Sequence, residues 1–84
     1  MESETIYDIV SNMEENKTRL DKLKDYSAEL EADIFATQEQ LLNETDKAHV
    51  TFLNDHLNIL KFELDKANAD IYILRRKLKK FQLN

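Results

Sequence analysis

The sequence predicts an all-α chain: an antiparallel two-helix hairpin of the coiled-coil kind, assembling further into a four-helix bundle. Three observations lead there. The 84 residues contain no Gly, Pro, Cys or Trp, while 35% are charged. Without Gly and Pro the usual turn chemistry is missing, which argues against sheets and loop-rich folds. Val50, Leu53, Leu57, Leu60, Leu64, Ala67, Ile71, Leu74, Leu78 and Phe81 then follow one another in unbroken steps of three and four. That spacing draws one narrow apolar seam along a helix, which needs a second helix to cover it. The third observation is a companion seam in the first half of the chain whose spacing fits it in antiparallel order.

The first helix is expected over about residues 5–42, starting where Thr5 and Asp8 form a near-capping-box. Its seam reads Ile6, Ile9, Met13, Asn16, Leu20, Leu23, Ser27, Leu30, Ile34, Thr37, Leu41. Asn16, Ser27 and Thr37 make it wetter than the second. A turn is expected at about 43–46, Asn43-Glu44-Thr45-Asp46, where Asn43 tolerates a left-handed C-cap and Asn43, Thr45 or Asp46 can cap the next helix. The second helix is expected over about 46–83.

The register follows from arithmetic. In an antiparallel pair an a position faces a d position, so facing residue numbers share a constant sum. Ile6 with Phe81 gives 87, as do Ile9 with Leu78, Ser27 with Leu60, Leu30 with Leu57 and Thr37 with Val50. The fold-back then falls between Asn43 and Glu44. This register sets Arg19 beside Asp70 and Asp33 beside His56, both favourable, and Lys24 beside Lys61, which is not. The same sums fit two continuous helices from two chains crossing antiparallel, and a bend without Gly or Pro leaves that swapped dimer open.

Charge is uneven. Residues 1–46 hold 13 acidic and 4 basic residues, and residues 47–84 hold 4 and 8. The halves therefore attract, with Glu2, Glu4, Asp8, Glu14 and Glu15 expected near Arg75, Arg76, Lys77, Lys79 and Lys80. No stretch is long and apolar enough to span a membrane, and the Met1-Glu2-Ser3-Glu4 start carries no secretory pattern, so the expected location is cytoplasmic.

Little in the sequence points to catalysis. There is no Gly for a phosphate-cradling loop and no thiol. Ser3, Ser11 and Ser27 have no activating neighbour. His49 and His56 lie seven residues apart, with Asp46 three before His49, a spacing read as solvated polar residues rather than a metal site. The carboxylates line helix faces with no cleft to desolvate them. The expectation is a non-enzymatic protein with no cofactor and no metal. The basic run Arg75 to Lys80 offers a route to phosphate backbones or an anionic membrane surface, at odds with the acidic whole.

What remains outside the seams is apolar. Tyr7, Ala28, Phe35 and Leu42 fall on a sevenfold row of the first helix; Phe52, Ile59 and Ile73 do so on the second, with Phe62 and Tyr72 nearby. Ala28, Phe35, Leu42, Phe52, Ile59, Phe62, Tyr72 and Ile73 are therefore the expected partner-binding residues. The partner is the chain itself, as a homodimer, and/or another helical protein.

Phe62-Glu63-Leu64-Asp65-Lys66-Ala67 and Ile71-Tyr72-Ile73-Leu74, in a small Gly- and Pro-free hairpin, resemble the two-helix co-chaperones of type III secretion needle subunits. In that family an Ala/Ile-rich second helix packs on a partner chaperone. The resemblance implies a binding protein that is stable only in complex. The first helix here is longer than theirs.

Overall fold

The computed structural model describes residues 6–80, with side chains from residue 11 onward. It is a two-helix hairpin within one chain: α1 runs Ile6–Asn43 and α2 runs Lys47–Lys79. The two pack along one another, so the expected hairpin is the fold. The expected cap at Thr5, the seam partners Ile6, Ile9 and Phe81, the row residue Tyr7 and the acidic start at Glu2, Glu4 and Asp8 lie outside the described side chains.

Helix formation follows the seams closely. Every described seam residue, Met13 to Leu41 and Val50 to Leu78, is buried or half-buried. Outside the seams only Glu44 and Glu63 among the described side chains are not exposed. The best-covered apolar residues are Leu30, Leu53, Leu57, Leu60, Ala67, Ile71 and Leu74. Burying a Leu or Ile in this way stabilises by about 1.5–3 kcal/mol relative to leaving it in water. Most of the hydrophobic driving force therefore sits on α2.

The two buried polar interruptions of the first seam, Ser27 and Thr37, each have a hydrogen-bond partner. Thr37 Oγ1 donates to the Asp33 carbonyl at 2.8 Å, one turn back in its own helix. Ser27 Oγ donates across the seam to Asn68 Oδ1 at 3.2 Å. Among the described residues no buried side-chain polar atom lacks a partner. A hydroxyl buried without one would cost about 1–3 kcal/mol, so these bonds make the wet positions tolerable.

The turn is shorter than expected and differs at Asn43. Asn43 belongs to α1, and its amide donates to the Glu39 carbonyl at 3.4 Å. No described residue has a positive φ, so the left-handed cap is not used. Glu44-Thr45-Asp46 makes the reversal. Asp46 caps α2 with extended backbone, accepting from the Ala48 N–H at 3.1 Å. Glu44 braces the other side: its Oε2 accepts from the Asp46 N–H at 3.1 Å, and its Oε1 lies 2.7 Å from His49 Nδ1. A reversal built from side-chain caps needs neither Gly nor Pro. That is how this chain folds back on itself without the residues that usually allow it.

The register is the main correction. Ser27 bonds to Asn68 rather than facing Leu60. Leu30 clusters with Leu60 and Ala67, against Ile34 and Leu64, instead of pairing with Leu57. Arg19 and Leu23 share a groove with Asp70, Ile73, Leu74 and Lys77. These neighbours centre on a residue-number sum of about 94, not 87, a slip of one heptad, with the Tyr26–Glu63 bond at 89 the lowest of the cross-helix contacts. A slip of seven brings the same seam positions round again, so the apolar pattern cannot distinguish the two registers. The turn favours the shift: the reversal is centred on Thr45, which moves the fold-back toward α2, and half-buried Glu44 extends the seam one step beyond Leu41. The slip also separates Lys24 from Lys61. Of the flanking pairs expected, Arg19 and Asp70 do line one groove. Neither Arg19–Asp70 nor Asp33–His56 closes as a salt bridge; among the described residues the contact of that kind is Glu44–His49 at 2.7 Å, an ion pair only when His49 is protonated.

Candidate interaction surface

With the seam closed, the residues left in water define what the hairpin presents. Leu42 is 81% exposed, and Phe35, Phe52, Ile59, Phe62, Tyr72 and Ile73 all keep about half or more of their surface. Ala28 is exposed as well. Scattered apolar residues are ordinary on a protein surface; this many large ones on two helices are not.

They do not form one patch. Tyr72 lines a groove with Leu20, Leu78, Arg75, Arg76 and Lys79. Ile73, the next residue, lines the groove on the other flank with Leu23 and Leu74. Consecutive helical residues point about 100° apart, so neighbours separate onto different faces. Ala28, Phe35 and Leu42, at sevenfold spacing, keep to one row of α1, and Phe52, Ile59 and Ile73 to one row of α2.

The exposed rings of α2 are each flanked by polar side chains of their own helix. Phe52 is stacked between His49 and His56, at centroid separations of 6.1 and 6.2 Å and interplanar angles of 19° and 4°. Lys66 Nζ lies 5.8 Å from the Phe62 centroid, and the Arg76 guanidinium 5.8 Å from that of Tyr72. Such cation–π contacts at exposed sites contribute about 0.5–1 kcal/mol. Phe52, Phe62 and Tyr72 stay more than half exposed all the same.

Among the described residues two groups titrate away from their ordinary values. The Glu44 carboxyl is held below the usual carboxylate range, first by the Asp46 N–H and then by His49. The Tyr26 phenol is pushed up by desolvation against α2 and by the Glu63 carboxylate, to which its O–H donates at 3.3 Å. Tyr26, 42% exposed, is an edge residue the sequence did not single out. Its signal is its place one step before the seam position Ser27. The Glu44–His49 brace was equally unmarked, because its five-residue spacing spans a turn rather than a helix face.

These groups are a turn brace and a cross-helix tether, each with its partner already on the hairpin. Comparison with protein-family models, with curated proteins and with solved structures finds no match to the chain. The functional reading rests on the surface itself.

Proposed function

We propose that this chain is a non-enzymatic protein–protein interaction module: a coiled-coil hairpin that presents rigid apolar helix faces to a second copy of itself, to another helical protein, or to both. One observation carries the reading. The seam is closed inside the chain, yet Phe35, Leu42, Phe52, Ile59, Phe62, Tyr72 and Ile73 stay uncovered on α1 and α2. A two-helix hairpin buries only one stripe per helix and is marginal alone, so covering those rows adds what the hairpin lacks.

A narrower version follows the needle-subunit co-chaperones that residues 62–74 resemble, in which the hairpin is stable only on a foreign partner. A second reading draws on the groove of Leu20, Tyr72 and Leu78, rimmed by Arg75, Arg76 and Lys79. An apolar floor with a cationic rim suits an anionic surface.

Light scattering coupled to thermal melting tests the proposal. A self-associating module gives a dimer or tetramer whose melting temperature rises with protein concentration. A partner-dependent one gives a poorly helical monomer. A monomer that melts cooperatively at high temperature, independent of concentration, contradicts both, because its apolar rows then need no cover.

A further inference from the structure

Along the outward side of α2, Phe52, Asp55, Ile59, Phe62, Lys66, Ala69, Ile73 and Arg76 again step by three and four. All eight are exposed. This is a second heptad seam of α2, outside the one packed on α1, hidden in the sequence by the charged residues Asp55, Lys66 and Arg76 within it. Its pattern is self-complementary. When two copies of α2 run antiparallel about a twofold axis between Leu60 and Lys61, facing residue numbers sum to 121. Phe52 then meets Ala69 of the second copy, large on small. Asp55 meets Lys66, opposite charges, and Ile59 meets Phe62. Ala48 meets Ile73. Every layer is repeated by symmetry, and the contact closes on itself rather than propagating.

We propose that a second copy of this chain covers this face, giving an α1–α2–α2–α1 row in which α2 is the inner helix of each hairpin. The inference rests on the interaction-module reading and names its partner and contact. Charge complementarity selects this arrangement. A parallel, in-register pairing would set Asp55 on Asp55 and Lys66 on Lys66. The antiparallel one pairs each with its opposite and brings the basic last turn of α2, with Arg76, Lys77 and Lys79, beside Glu44 and Asp46 of the other copy's turn. The two helix dipoles then also oppose. The ring contacts described above bear on the same face: Lys66 leans over Phe62, so its stem already lies along the surface that the second copy covers. The Ala28, Phe35 and Leu42 row of α1 lies off this face.

Charge reversal tests it in the full chain by sedimentation equilibrium, with circular dichroism confirming that each variant stays helical. The wild type should be a dimer. Asp55→Lys and Lys66→Asp each place like charges opposite one another twice per dimer, so each should weaken self-association by about tenfold or more. Mixed in equal amounts the two variants are complementary at both positions. The mixture should recover wild-type dimerisation as a heterodimer, and the double variant D55K/K66D should recover it alone. Single variants that dimerise as tightly as the wild type overturn the proposal, as does a mixture that stays weak. A wild type that remains monomeric also overturns it. If that monomer is poorly helical, the broader reading survives in its partner-dependent form; if it is thermally stable, that reading falls too.

Discussion

Leu60→Ala should unfold most of the isolated hairpin. Leu60 is 7% exposed and belongs to the cluster with Leu30 and Ala67 at the middle of the seam. Truncating a buried Leu costs about 2–5 kcal/mol, from the transfer of the lost methyls and from the cavity left behind. A chain of 84 residues with one helix–helix contact has little more stability than that to lose. Helix propensity does not explain such a loss, because Ala is the stronger helix former. The control is Leu42→Ala, the same chemical change at a residue 81% exposed. It should alter the unfolding free energy by no more than about 0.5 kcal/mol. Urea titration followed by circular dichroism measures both. Equal effects at the two sites would mean that the seam is not where stability resides.

The second large effect concerns the sign of a change at Ser27. Heptad logic alone would replace this polar seam residue by Leu and expect a gain, since the register summing to 87 sets it against Leu60. The observed register sets it opposite Ala67, which is 3% exposed, with Ser27 itself at 8%. Two small residues there let the helices approach, and the Ser27 hydroxyl is bonded to Asn68. A Leu side chain at 27 has no room beside Ala67 and breaks that bond. Overpacking of this kind costs about 1–3 kcal/mol. Ser27→Leu should therefore lower the urea midpoint without changing the slope. A raised midpoint would support the other register.

The fold was legible because its cause is a periodic pattern. The seam residues Met13 to Leu41 and Val50 to Leu78 are the ones the structure covers, and the three-residue reversal falls inside the stretch expected to turn. The pairing of one helix with the other was not legible. Repeating layers of similar size give nearly the same energy one heptad apart, and the choice rests on where Asn43 ends α1 and how Glu44 and Asp46 cap the turn. Those are local bonds between side chain and backbone, which periodicity does not record. The exposed residues Ala28, Phe35, Leu42, Phe52, Ile59, Phe62, Tyr72 and Ile73 were legible as leftovers, since a residue off the seam of a hairpin has nothing to pack on. Their grouping was less so. Sevenfold rows drew attention to Phe52, Ile59 and Ile73 but passed over Asp55 and Lys66, which interleave with them and carry the complementarity.

The central claim is that the long seam of α2 is covered by α1 of the same chain, so that any association must use other faces. Nuclear Overhauser contacts between methyl groups test it most directly. In a sample where labelled chains are diluted into unlabelled ones, Leu30 methyls should show strong intrachain contacts to Leu60 and Ala67, the neighbours with which Leu30 clusters. Contacts from Leu30 to Leu57 in their place would restore the register summing to 87. Leu30–Ala67 contacts found only between labelled and unlabelled chains would show that the seam is closed by a second chain, and would contradict the account.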